Sequence, residues 1–258
     1  MTIGIRGLGL IGGSFEKAFL QAGYDVLNLK GATPDKISSC EIIIVCLPPL
    51  MVAPWIQKHA KDIASSAIVT DAAGVKGVVC DALCELAKKS DWTYIGAHPM
   101  AGKERSGYEN AVADLFNGAS MILTPYSFTP AESIEKLKTL FTSIGFARCV
   151  ITTPDNHDKM IAYTSQLAHI VSSAYVLDPL SQSHFGFSAG SYQDMTRVAT
   201  VEPDLWTDLF LSNAQSLDAV LTRLIDRLKK YHEALSSGNA CALRKLLSEG
   251  RKAKESAR

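Results

Sequence analysis

Apolar positions follow two rhythms along the chain. In the first half, short aliphatic runs alternate with segments of helical period. Residues 2–6 (TIGIR) predict a strand. A helix is expected from about 11 to 22, with Phe15 and Phe19 one turn apart on its buried face and Gly23 as its stop. A second strand is predicted over 24–29. Residues 41–47 (EIIIVCL) are nearly all apolar, as expected of a strand covered on both faces. Further strands are predicted at 67–70, 93–97, 120–123 and 148–151, with helical patterns at 81–89 and 132–143. Such alternation implies a mostly parallel sheet with right-handed crossovers. The stretch 31–40 is short, so the usual crossover helix and strand are expected to be trimmed away there.

Strand signal fades after residue 152. One helix is predicted over 156–177, another over about 202–234, and a last over 239–252. The second carries an apolar stripe through Leu217, Val220, Leu224, Leu228 and Tyr231. The fold class expected is therefore α/β followed by all-α, with domains at 1–152 and 153–258. The basic end, 251–258, reads as a solvated tail.

Composition narrows the function. Lys plus Arg and Asp plus Glu each number 26, so the net charge is zero and a chain-wide grip on nucleic acid or anionic lipid is not expected. The longest apolar stretch, 42–56, contains Pro48, Pro49 and Pro54 and is too short and broken to span a bilayer. No signal-peptide pattern precedes Arg6. The six cysteines lack tight metal-ligand pairs; Cys80 and Cys84 fit a helical spacing as packed small hydrophobes. No metal site is expected, and a reduced, cytoplasmic setting fits.

Gly7-x-Gly9-x-x-Gly12 lies between a predicted strand and helix. Gly7 suits the tight turn, Gly9 the approach of a pyrophosphate, and Gly12 the packing of helix on strand. Leu10, Ile11 and Gly12 open the helix, whose free N–H groups and positive dipole end favour phosphates. The pattern points to a Rossmann-like dinucleotide site. Leu47 and Pro48, at the carboxyl end of the strand over 41–47, belong to the same crevice. An acidic residue expected near the end of the second strand would favour NAD, but the position falls at Lys30. A cation there suits a 2′-phosphate and favours NADP, with NAD the alternative; the other reading is an exposed lysine with no cofactor role.

His98 sits where a predicted strand gives way to a loop, on the side where ligands bind in parallel α/β sheets. There it is a candidate for proton exchange. The reading as a satisfied structural histidine stands beside it.

The ordered set GLGLIGGSF (7–15), DAAGVK (71–76), GAHPMAGKERSG (96–107), HDKMIAYTSQLAH (157–169) and YQDMTRVA (192–199) resembles the prephenate and arogenate dehydrogenases over nearly the whole chain. The resemblance implies a Rossmann-like domain joined to a helical, dimerising domain. It also implies oxidative decarboxylation of a cyclohexadienyl acid, with hydride transfer to NADP or NAD. His98 matches the family's catalytic histidine. Arg197 matches the arginine that holds the ring carboxylate, with an interdomain salt bridge as the other reading. His169 matches the second histidine of a SHLPH-like segment, and Gln166 replaces the first. Ser165, Gln166 and His169 are expected on one helical face. His157 is open between structure and function, with Asp158 as a first-turn dipole partner. Lys103, Glu104 and Ser106 either touch the substrate side chain or fix the loop, and Glu104 is a candidate to meet the ammonium of arogenate.

One position departs from the family. Relatives often carry a serine in a DxxSVK segment, bonded to the catalytic histidine and the substrate hydroxyl; here it is Gly74. One hydrogen bond to a developing charge is worth about 1.5–3 kcal/mol, so its loss lowers rate without abolishing it, and a water is one substitute. The resemblance ends with the helical part, so any inhibition by tyrosine is expected to act at the active site. Two other readings remain: a β-hydroxyacid dehydrogenase of similar build, against which His98 and Arg197 argue, and a catalytically weakened sensor of nucleotide or aromatic metabolite.

Overall fold

The computed structural model describes residues 1–103 and 105–256. Seven strands form one sheet: β1 (Thr2–Arg6), β2 (Asp25–Asn28), β3 (Ile42–Val45), β4 (Ile68–Asp71), β5 (Thr93–Pro99), β6 (Ser120–Pro125) and β7 (Arg148–Ile151). Their order is β2-β1-β3-β4-β5-β6-β7. All neighbours run parallel except β5 and β6.

The period of two along β3 shows why both faces are apolar. Ile42 and Ile44 join a core beneath α1 (Leu10–Gln21) and α5 (Ala131–Thr142), with Phe15, Phe19, Leu137 and Phe141. Ile43 and Val45 join a second core beneath α3 (Pro49–His59) and α4 (Gly77–Lys89), with Val52, Ile56, Val79 and Leu83. Each fully buried aliphatic side chain stabilises the fold by about 1.5–3 kcal/mol.

Chain order reverses at β1, which lies between β2 and β3, so the carboxyl ends of β1 and β3 flank a crevice. The segment after β2 keeps a five-residue helix, α2 (Pro34–Ser38), and so is shortened rather than bare. Helix α3 was not anticipated because it holds three prolines in and before its first turns. Pro49 is compatible with a first-turn position, and Pro54 is accommodated inside the helix.

The expected helix over 156–177 is α6 (Pro154–Ile161) and α7 (Leu167–Val176), joined by a π-helical turn at 162–166. The single helix expected over 202–234 is interrupted. Helix α9 (Pro203–Ser212) ends at Asn213, and α10 (Ala214–Ser236) follows. Between α7 and α9 lies a short α8 (Gly190–Thr196) that the periodicity did not reveal.

By contact density, residues 1–214 and residues 215–258 are each compact. The second unit comprises nearly all of α10, then Gly238 with φ +62°, then α11 (Ala240–Ser256). Among the described residues no helix is long and apolar enough to cross a membrane.

Candidate active site

The loop leaving β4 is organised by a buried carboxylate. Asp71 accepts from Lys76 Nζ and from Ala73 N at 3.0 Å through Oδ2, and from Tyr94 OH at 2.8 Å and Ala97 N at 3.2 Å through Oδ1. Lys76 also donates to the Ala97 carbonyl at 2.6 Å, and its side chain is wholly buried. A buried ion pair is costly unless its remaining bonding positions are satisfied; here both Asp71 oxygens accept two bonds each and Lys76 makes two. The network fastens the DAAGVK loop to β5 one residue before His98.

His98 lies opposite Ile122 near the end of β5, half-buried. Its Nδ1 is 2.9 Å from His157 Nε2, and His157 Nδ1 is 2.7 Å from Asp158 Oδ1. Burial, then His157, then the Lys76 charge push the His98 imidazole well below its usual 6.5. Burial also lowers His157, partly opposed by its bond to Asp158. Both rings are therefore neutral at pH 7.

Asp158 is not the dipole partner expected for its own helix. Its Oδ1 accepts from Lys76 N and its Oδ2 from Gly77 N, each at 2.8 Å, so it serves the N-terminus of α4. Helix α6 is capped by Thr153, whose side chain accepts from Asn156 N.

Gly74 lies against His98. A Cβ there would stand 3.8 Å from His98 Nε2 and 3.2 Å from Leu209 Cδ2. Leu209, on α9, thus packs against the Gly74 position. One turn earlier on α9, Trp206 packs against His169 with ring centroids 3.7 Å apart. The Val198 carbonyl accepts a bond from His169 Nδ1 at 2.8 Å, leaving His169 Nε2 without a proton in the neutral ring. The Arg197 charge bears on the same imidazole. Helix α9 thus meets the Gly74 loop through Leu209 and His169 through Trp206.

The Gln166 side chain is engaged by the protein itself. It is buried, donates to the Leu209 carbonyl at 3.0 Å and accepts from Asn213 Nδ2 at 2.7 Å. The same Asn213 amide donates to the Asp158 carbonyl at 2.8 Å. Gln166, at the end of the π-helical turn, and His169 both turn toward α9, the first to Leu209 and the second to Trp206. Lys103 Nζ donates to the Asn110 carbonyl at 3.1 Å, and the Ser106 carbonyl accepts from Asn110 Nδ2 at 2.6 Å, so both fasten their loop. Glu104 lies outside the described residues.

The glycine turn has room for a dinucleotide. Gly7 has φ +101°, and a Cβ there would meet the Cys46 carbonyl at 2.2 Å; one at Gly12 would meet the Gly7 carbonyl at 1.8 Å. Gly9 has open space beside it and precedes α1, whose first turn carries no acidic residue. The N–H groups of Leu10, Ile11 and Gly12 are the unsatisfied donors of that turn. Leu47 flanks Gly7, and Pro48 stands exposed at the start of α3. Lys30 is exposed beyond β2, where its N–H donates to Asn28 Oδ1 at 2.9 Å. These residues fit a dinucleotide phosphate cradle. Among the described residues no group of three or more His, Cys, Asp or Glu side chains is placed to hold a metal ion.

Sequence reasoning missed the roles of Asp71, Lys76, Tyr94 and Asn213. A signal existed for the first two: an acid ending an apolar strand and a lysine five residues on, both in apolar surroundings.

Residues 12–151 match the family described as prephenate dehydrogenase, nucleotide-binding domain. Residues 153–249 match prephenate dehydrogenase, dimerization domain. Cyclohexadienyl dehydrogenase of Zymomonas mobilis is 30% identical, over 98% of this chain and 94% of that one. The fold is similar to the crystal structure of Synechocystis arogenate dehydrogenase, with TM-score 0.84, 24% identity and full coverage of both chains. It is also similar to prephenate dehydrogenase from A. aeolicus in complex with hydroxyphenyl propionate and NAD+, with TM-score 0.83 and 24% identity over 100% and 98% of the two chains.

Proposed function

This chain belongs to the prephenate dehydrogenase family, and on that premise we propose that it oxidatively decarboxylates prephenate or arogenate, with NADP favoured over NAD. The observation that carries this reading is the neutral His98, its Nε2 turned toward the Gly74 loop and its Nδ1 already engaged by His157. A bound nicotinamide would supply the hydride acceptor.

In this reading His98 Nε2 takes the proton of the ring hydroxyl as carbonyl character develops at that carbon. The hydride leaves the same carbon, the ring carboxylate departs as carbon dioxide, and the ring becomes aromatic. Arg197 holds the carboxylate before it leaves, since a planar guanidinium matches it in two places. His169 presents its bare Nε2 to the substrate or to an ordered water. Lys103 and Ser106 shape the loop that borders the substrate. Gly7, Gly9, Leu10, Ile11 and Gly12 receive the pyrophosphate, Leu47 and Pro48 line the crevice, and Lys30 meets a 2′-phosphate.

The proposed division of labour falls at residue 152, supported by family matches that end at 151 and resume at 153. A homodimer is supported by the dimerization-domain match and by the exposed Leu177, Leu180, Phe185 and Phe187. Six unpaired cysteines support a reduced, cytoplasmic setting.

The test is a two-by-two assay of reduced-nicotinamide absorbance, prephenate or arogenate against NAD or NADP. Turnover in any combination is expected, and the fastest names substrate and cofactor. Folded protein that binds nucleotide but turns over neither acid would overturn the reading in favour of a sensor.

A further inference from the structure

Asp158 follows residue 152, yet its carboxylate is engaged by the loop that carries Gly74. It accepts from the backbone N–H groups of Lys76 and Gly77 and from His157 Nδ1. An ionised carboxylate only accepts, so Nδ1 of His157 carries a proton. A neutral His157 then has a bare Nε2, and the hydrogen on the 2.9 Å bond to His98 comes from His98 Nδ1. A neutral His98 is left with its lone pair on Nε2. That is the nitrogen facing Gly74.

Resting on the dehydrogenase reading above, we propose that His157 and Asp158 are positioning residues that fix His98 in the tautomer whose Nε2 accepts the substrate hydroxyl proton. The argument is one of donors and acceptors. A general base must offer a lone pair at the atom that meets the proton, and an imidazole free to choose would divide between two tautomers. The chain Asp158–His157–His98 leaves one arrangement. It also places an anion one imidazole away from the cation that forms when His98 Nε2 is protonated. The Lys76 and Asp71 charges also bear on these imidazoles, already paired with each other.

The chain is anchored at Asp158. The Asp158 carbonyl accepts from the Asn213 side chain, and its carboxylate caps α4. His157 is buried.

The experiment compares His157→Leu with His157→Gln. Gln keeps an oxygen near the place of Nε2 to accept from His98, whereas Leu does not; both spare the Asp158 cap. His157→Leu should lower kcat by about 10–100-fold with little change in KM, since an orienting partner acts on the base and not on binding. His157→Gln should recover most of that loss. Alongside, nitrogen NMR of the histidine-labelled wild-type protein should show His98 Nε2 unprotonated and Nδ1 protonated, with a mixture in His157→Leu. Equal rates in wild type and both variants would overturn the proposal, as would a protonated Nε2 on His98 in the wild type. The NMR readout needs no turnover. An inactive wild type would therefore sink the dehydrogenase reading while the tautomer is still decided.

Discussion

Gly74 faces Nε2 of His98: a Cβ at that position would stand 3.8 Å from the nitrogen. The hydroxyl of a serine side chain, one bond further out, would come within hydrogen-bonding reach. The neighbour that must give way is Leu209 Cδ2, at 3.2 Å, the tip of a flexible side chain. Gly74→Ser should therefore fold and should raise kcat. A hydrogen bond to a developing charge, at about 1.5–3 kcal/mol, sets an upper range of about 10–150-fold, less what the crowding of Leu209 costs. Gly74→Ala adds the crowding without the donor and should give no gain. Steady-state rates of the two variants side by side check this, and equal rates would remove the hydroxyl argument.

The pH dependence follows from two imidazoles, the half-buried His98 and the buried His157. His98 and His157 are both pushed below their ordinary 6.5 in the folded chain. Above pH 6.5 they are neutral in folded and unfolded states alike, so stability does not depend on them. As pH falls below 6.5 the unfolded chain takes up protons that the folded chain refuses. Stability should then fall by up to about 1.4 kcal/mol per pH unit for each ring, until the lowered folded values are reached. Thermal unfolding between about pH 7 and pH 5 should show Tm dropping with acid. A His98→Asn/His157→Gln double variant should show a flatter slope, and equal slopes would contradict the assignment. On the same grounds the rate should stay at its plateau down to a pH well below 6.5, because the base remains unprotonated there.

Lys76 and Asp71 are buried as a pair, and breaking one partner strands the other. Lys76→Met leaves the Asp71 carboxylate with neutral donors alone and should destabilise the fold by about 3–5 kcal/mol. Removing both charges, in Lys76→Met/Asp71→Asn, should cost less than Lys76→Met by itself. Chemical denaturation of the three proteins measures this directly. A double variant less stable than the single would mean that the pair is net favourable rather than merely compensated.

The legible parts of this fold share one property: local pattern and tertiary role agree. The run 41–47 reads as a buried strand because every residue of β3 is covered, and Gly7, Gly9 and Gly12 read as a phosphate turn because backbone approach demands glycine. What stayed hidden depends on distant partners. Helix α3 is obscured by its prolines, and the π-helical turn leaves no periodic signature, so the bonds that tie Gln166 to Leu209 and Asn213 were not legible. His157 could not be decided from sequence because its role is set by His98, 59 positions away. Asp158 misled for the same reason, since the helix it caps begins 81 residues earlier.

Lys30 tests the cofactor preference. It stands exposed past the end of β2, where an acid would accept from the adenine ribose hydroxyls. Lys30→Asp should lower kcat/KM for NADP, raise it for NAD, and leave the substrate KM unchanged, because the residue is proposed to meet the cofactor alone. The ratio of the two specificity constants is the measurement. A ratio unmoved by the charge reversal would assign Lys30 to the solvated surface.

His98 and Arg197 should fail in different ways, and the contrast separates chemistry from binding. His98→Asn removes the base and leaves the glycine turn intact. General-base catalysis is worth about 10²–10⁴-fold, so kcat should fall by that order while nucleotide binding holds. Arg197→Ala removes the proposed charge-assisted partner of the ring carboxylate, worth about 1.5–3 kcal/mol, and should raise KM by about 10–150-fold. The carboxylate is present before the hydride leaves and is lost afterwards, so its partner acts on the bound substrate first. Arg197→Lys keeps the charge but not the planar fork, and should recover only part of the loss. If Arg197→Ala instead lowered kcat alone, the arginine would be acting on the reacting state and the carboxylate would need another anchor. His169, beside it and bonded to the Val198 carbonyl, would then be the residue to substitute next.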